Sequence, residues 1–218
     1  MLILCDFDGT ITDPDVTNLV WDKYGMKNWR RALLPPYRSG EKTTLELMDM
    51  GWRVIDLPAD ELLDFARPRI VVRDGFDAMI AFCRARHWPF HVVSCGLDWY
   101  IRAFLPADVP FTSYAARLED GWRVTLPAGC ALPDGEDFKI FALRILLAQN
   151  PGRETAFIGD GRNDFPIARQ TDHVFAVKGS TLAKLCNAEG VRCVEFESFG
   201  EVVEALKARG LELEALDE

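Results

Sequence analysis

The sequence predicts an α/β fold: a parallel β-sheet with helices on both faces, a helical segment inserted after the first strand, and a β-hairpin inserted later. Three observations predict it. Short apolar runs closed by polar residues or glycine alternate with amphipathic stretches. The stretch from Asp15 to about Arg73 carries helical patterning without a strand, and is too long to be a loop. Two β-like runs flank Glu119-Asp120-Gly121, whose Asp-Gly step suits a tight turn.

Each element follows in order. Leu2–Cys5 is a buried strand, apolar throughout and stopped by Asp6. The inserted stretch is rich in Trp, Leu and Met, with helices expected at Thr43–Val54 and Ala59–Ala66 and a break at Pro35-Pro36. Phe76–Arg86 is an amphipathic helix with apolar residues at Phe76, Met79, Ile80, Phe82 and Cys83. Phe90–Val93 is the next strand, followed by a helix opening at Asp98, and Thr112–Val124 is the hairpin. Phe138–Leu147 is helical, and Thr155–Ile158 and Val174–Val177 are strands. The tetrapeptide Gly-Trp-Arg-Val occurs at Gly51–Val54 and at Gly121–Val124, in contexts too different for a repeat. The Leu/Glu-rich tail after Gly210 is expected to be frayed and solvated.

Composition bounds the function. A chain of 218 residues is one domain, or one domain carrying a sizeable insertion. Its 49% hydrophobic content is enough for a full core. A net charge of −9 argues against nucleic acid or an anionic membrane as partner, since both call for a basic face. It leaves room for a small anionic substrate held by amides, one lysine and a metal. No run approaches a membrane span, and Met1–Cys5 is too short for a secretory core. The six cysteines include no C-x-x-C pair, so the expectation is a cytoplasmic protein with reduced thiols, monomeric or homodimeric.

The chemistry concentrates where strands end. Asp6-Phe7-Asp8-Gly9-Thr10 places two carboxylates just beyond a buried strand. Asp8 in such a place could cap a turn or helix, or the pair could meet a cation that offsets their burial. Thr155–Ile158 also runs into acid, at Gly159-Asp160-Gly161-Arg162-Asn163-Asp164. In an open parallel sheet, ligands gather at the carboxyl ends of strands, so Asp6, Asp8 and Asp160 converge on a site suited to Mg²⁺. Ser94-Cys95-Gly96 closes its strand with a hydroxyl and amides, either an N-cap or a phosphate cradle. Lys139 opens a helix, where the dipole disfavours a cation unless an anion lies near; the alternative is a surface lysine.

These four pieces, in this order, resemble the motifs of haloacid dehalogenase superfamily phosphatases. The resemblance covers most of the chain and lies closest to the phosphoserine-phosphatase-like branch. It implies a Rossmann-like catalytic core of residues 1–14 and 74–218, with residues 15–73 as a helical cap and Arg73-Asp74-Gly75-Phe76 as the return to the core. It implies Mg²⁺ held by Asp6, the Asp8 carbonyl and Asp160. Asp6 would be the nucleophile and Asp8 the acid and base. Gly9, Ser94, Cys95, Gly96 and Lys139 would hold the phosphoryl group. Asn163 would face the phosphate or substrate, with Asp164 behind.

The cap should select a small phosphorylated metabolite. Where phosphoserine phosphatases carry a Glu for the substrate amine, this chain has Asp15, and an ungapped alignment puts Met50 at their cap arginine. Met48, Met50, Trp52, Trp21 and Trp29 would then form an apolar lining, or pack the cap. Cys5–Thr12, Asp15 and the Ser94–Asp98 turn look similar to the methionine-salvage phosphatases that hydrolyse a methylthio-bearing enol phosphate. Cys95 departs from the glycine common there.

Overall fold

Alternate residues of the first strand face two different cores. Strand β1 (Leu2–Cys5) sends Ile3 and Cys5 into one cluster and Leu2 and Leu4 into another, and all four are fully buried. That is the pattern of a parallel sheet covered on both faces. The computed structural model describes residues 1–214, and of residues 209–214 only the helical backbone.

After β1 come β2 (Thr12–Asp13) and four helices: α1 (Val16–Tyr24), α2 (Trp29–Arg38), α3 (Thr44–Trp52) and α4 (Ala59–Ala66). The chain returns through β3 (Val71–Val72), antiparallel to β2. Then follow α5 (Phe76–Ala85), β4 (Phe90–Leu97), α6 (Asp98–Phe104), the hairpin β5 (Phe111–Glu119) and β6 (Gly121–Thr125), and α7 (Phe138–Gln149). The chain continues with β7 (Thr155–Gly159), α8 (Phe165–Ala168), β8 (His173–Val177), α9 (Thr181–Ala188), β9 (Val194–Phe196) and α10 (Phe199–Glu214).

The main sheet has seven strands in the order β6-β5-β4-β1-β7-β8-β9, parallel except for the β5–β6 pair. Helices α5 and α10 supply one core with Phe76, Met79, Phe199 and Val202. Helices α7, α8 and α9 supply the other with Leu143, Ile167 and Leu182. The fold is therefore α/β as the patterning indicates. β1 lies between β4 and β7, so their carboxyl ends meet where the strand order switches direction.

Three expectations need correction. Pro35 and Pro36 do not break the chain; they lie in the last turns of α2. Their missing N–H groups fall close to the end of the helix, which still closes with the Ser39 N–H donating to the Pro35 carbonyl at 3.0 Å. The stretch expected to lack strands ends in β3, a two-residue strand too short for periodicity to reveal. The tail expected to fray after Gly210 is helical backbone as far as Glu214; residues 215–218 lie outside the described residues. Among the described residues, no helix is long and apolar enough to cross a membrane.

The hairpin does not project freely. Its tip at Gly121, at φ +77°, sits so close to the Arg53 carbonyl that a Cβ there would collide with it. Trp122 donates its indole N–H to the Leu57 carbonyl at 3.0 Å, and the Val124 N–H donates to Asp49 Oδ1 at 3.1 Å. The two Gly-Trp-Arg-Val segments thus meet, with the Trp52 and Trp122 rings 6.4 Å apart.

One half-buried histidine on the sheet links its stability to pH. His91 on β4 has Nε2 2.9 Å from Thr112 Oγ1, and burial pulls its pKa down from 6.5 to about 4. Above pH 6.5 the ring is neutral whether or not the chain is folded. As pH falls from 6.5 to 4 the unfolded chain takes up a proton that the fold refuses, so stability drops; below that both states are protonated. At about 1.4 kcal/mol per pH unit, the loss is roughly 3 kcal/mol. Urea midpoints between pH 7 and 4 should fall less steeply in His91→Gln, and an unchanged slope would place the acid lability in other groups.

Candidate active site

β1 stops at Asp6 because the next backbone steps turn away from the sheet. The Asp6 N–H still donates to the Ile158 carbonyl at 2.8 Å, continuing the pairing with β7. The N–H groups of Thr10, Ile11 and Thr12 then all point to the Phe7 carbonyl, which curls the chain into a tight loop. Phe7 turns into the core against Tyr100 and Phe104. Gly9 takes φ +80°, and a Cβ on it would lie 2.6 Å from Asp160 Oδ2. Only glycine fits both constraints. Arg73 ties the loop down through its guanidinium, donating to the carbonyls of Gly9 at 2.8 Å and Thr10 at 2.7 Å.

The loop brings its acids to those of β7. Single oxygens of Asp6, Asp160 and Asp164 all lie within 4.8 Å of one another. Lys139, at the start of α7, is fully buried among them. Its ammonium donates to Asp6 Oδ1 at 2.6 Å and to Asp164 Oδ1. Asp164 Oδ2 accepts the N–H groups of Asp160 at 2.9 Å and Gly161 at 2.7 Å. Both Asp164 oxygens are therefore committed, and this residue locks the lysine to the turn after β7. Thr10 donates its hydroxyl to Asp160 Oδ1 at 3.2 Å.

The electrostatics show more negative charge than one lysine balances. Burial, then Asp164, pushes Asp160 up to about 7. Burial, then Asp164, also raises Asp6, while Lys139 pulls it down. Against its own burial, Lys139 is held well above the usual lysine range by Asp164 and Asp6. Burial pushes Asp8 up to about 6, opposed by hydrogen bonds from Tyr100 and Val16. A divalent cation touching Asp6 and Asp160 would offset that excess, and hard oxygen donors of this kind suit Mg²⁺. The residues fit such an ion.

Above this floor opens a cavity lined by Asp6, Asp8, Ser94, Cys95, Gly96, Asp160 and Asn163. Ser94 Oγ accepts the Gly96 N–H at 2.9 Å, which leaves its proton for an acceptor in the cavity. Ser94, Cys95 and Gly96 belong to β4, which runs past its expected end at Val93 to Leu97 with a shift of register. Cys95 is not among the residues with positive φ, so it sits there without strain. Burial pushes its thiol up to about 12, which keeps it protonated and unreactive.

The far wall belongs to the inserted helices. Asp15 lines it, capping α1 by accepting the Asn18 backbone and side-chain N–H groups, each at 2.7 Å. Burial, then the charge of Asp8, raises Asp15 well above the carboxylate range. Trp21, Trp29, Leu34, Leu47 and Met48 form an apolar surface beside it. Met50 is absent from the lining and 40% exposed, because the phase of α3 turns Leu47 and Met48 inward and Met50 to solvent. Trp52 is also absent: it is fully buried against Trp99 and Trp122. Sequence patterning missed Tyr37 and Thr44, which line the same wall and carry no motif, and Asn18, whose spacing from Asp15 is a capping signal. Among the described residues the lining holds no arginine, lysine or histidine.

Known proteins resemble this chain over nearly its whole length. It is 28% identical to 2-hydroxy-3-keto-5-methylthiopentenyl-1-phosphate phosphatase of Exiguobacterium sibiricum, covering 94% of this chain and 95% of that one. It is also 28% identical to the protein of the same name from Geobacillus kaustophilus, over 95% and 96% of the two chains. A solved structure of a phospho-aspartyl intermediate analogue of phosphoserine phosphatase superposes with a TM-score of 0.72 at 19% identity, covering 94% of this chain and 97% of that one. The model of the haloacid dehalogenase-like hydrolases matches residues 3–169, from the first strand through the Asp160–Asp164 turn, and the chain belongs to that family.

Proposed function

We propose that the chain is a Mg²⁺-dependent phosphatase that hydrolyses a small phosphomonoester through an aspartyl-phosphate on Asp6. The substrate we propose is an enol phosphate with an uncharged, apolar tail, as in the compound the relatives are named for. The observation that carries the reading is the buried Lys139, bonded to Asp6 and Asp164 beneath a cavity whose other charged groups are all acids. Positive charge against a phosphoryl group is useful only at that floor.

Lys139 occupies Oδ1 of Asp6, which leaves Oδ2 to attack phosphorus. As that bond forms, the bond from phosphorus to the leaving oxygen breaks, and Asp8 gives its proton to that oxygen. Asp8, now a carboxylate, takes a proton from water; the water oxygen bonds to phosphorus and the Asp6–phosphorus bond breaks. Ser94 and Lys139 orient and neutralise the phosphoryl oxygens throughout. Asp6 and Asp160, with the Asp8 carbonyl, would hold Mg²⁺, which when bound supplies further charge against those oxygens. In this reading residues 15–73 act as the cap that closes over the substrate.

The apolar surface of Trp21, Trp29 and Met48 supports a tail without charge, and the lack of a cation in the lining disfavours a substrate carboxylate. Phosphoserine is the second reading, because Asp15 offers a carboxylate to an ammonium group. Phosphate release from a panel of phosphorylated metabolites, with Mg²⁺ and with EDTA, tests both. The enol phosphate should exceed phosphoserine in kcat/KM by about 100-fold, the scale of one lost fork-shaped charge pair. A preference for phosphoserine would overturn the substrate, and EDTA-resistant turnover would overturn the metal. Added alcohols that capture the phosphoryl group would instead mark a phosphotransferase.

A further inference from the structure

Asp8 is gripped at both ends of its carboxylate. Oδ1 accepts the Val16 N–H at 2.9 Å, and Oδ2 accepts the Tyr100 hydroxyl at 2.5 Å. Tyr100 is fully buried on α6, its ring packed on Phe7, Trp52 and Trp99. Its oxygen also meets the Thr17 hydroxyl at 2.9 Å. Gly96 makes the room: a Cβ there would strike the Tyr100 oxygen and lie 2.6 Å from Asp8 Oδ2. Three separate elements, β4, α6 and α1, are thus shaped around one carboxyl group.

We propose that Tyr100, backed by Thr17, is a positioning residue that fixes the plane of the Asp8 carboxyl and so aims its proton at the leaving oxygen. The proposal rests on the acid–base role given to Asp8 above. The terminal torsion of an aspartate is broad, so a single anchor leaves the carboxyl free to swing. Anchors on both oxygens remove that freedom, and each oxygen keeps a lone-pair site for the reaction. The hydroxyl pair can reverse its donor direction, because either Thr17 or Tyr100 can donate to the other. It can therefore follow Asp8 through both protonation states.

The test is Tyr100→Phe, which keeps the ring and its packing but removes the hydroxyl. Its kcat/KM is compared with wild type in Mg²⁺ on two esters, 4-nitrophenyl phosphate and phenyl phosphate. A nitrophenolate leaves without a proton, whereas a phenolate depends far more on receiving one. The variant should lose about 30-fold on phenyl phosphate and under about 3-fold on 4-nitrophenyl phosphate. Thr17→Val should shift in the same direction by about 3-fold, and it decides the matter if Tyr100→Phe does not fold. Equal losses on both esters, or no loss on phenyl phosphate, overturn the proposal. Asp8→Asn supplies the reference and should show the same ester selectivity at larger amplitude. If it shows none, or if wild type releases phosphate from neither ester, the acid–base reading fails and the proposal falls with it.

Discussion

Asp6→Asn will lose phosphatase activity by on the order of 10⁴-fold or more while remaining folded. The amide keeps the size and shape of the carboxylate but is a poor nucleophile toward phosphorus. Both Asp164 oxygens are committed, one to Lys139 and one to the Asp160 and Gly161 amides, so that acid cannot stand in for Asp6. Lys139 keeps Asp164 as a partner, so its charge remains paired. The substitution also removes one acid from a crowded group, and the melting temperature should stay within a few degrees of wild type. Phosphate release and thermal melting on the same preparation check both halves. Turnover within about tenfold of wild type would remove Asp6 from the nucleophile's role.

Lys139→Met has the larger effect on stability. The ammonium is fully buried and bonded to two carboxylates, Asp6 and the fully buried Asp164. Methionine fills much of the same space but leaves two acids facing each other without a cation. Breaking a buried pair from one side costs about 3–5 kcal/mol. For a domain of this size that is a fall in Tm of roughly 10 °C. Adding Asp164→Asn should recover part of the loss, since one of the stranded charges is then gone, although the bonds to the Asp160 and Gly161 amides weaken. Both variants should be inactive. A Lys139→Met protein that melts with wild type would show that the ammonium is not buried between those acids.

The central strands and the acids at their ends were legible in the sequence because one cause produces both signals. A strand buried on both faces must be apolar throughout, and charge can appear only where it leaves the sheet, as at Asp6 and Asp160. The helices at 59–66 and 76–85 were legible from spacing alone. What the sequence hid was phase and distance. Met50 and Met48 are chemically identical and two residues apart, yet the turn of α3 sends one to solvent and the other to the cavity. Tyr100 reads as one more aromatic residue, because nothing in its neighbourhood announces a partner 92 positions earlier. Pro35-Pro36 misled because α2 runs through both prolines and stops only at Arg38.

The packing of Gly121 beneath Arg53 has a practical side. Hairpin tips are where engineers splice tags, epitopes or extra loops, since most are free and tolerate added chain. This one is not free. Extra residues at Asp120 would push on the end of the helix that presents Leu47 and Met48 to the cavity. A reporter grafted at that turn would register first as altered substrate preference, long before any loss of solubility.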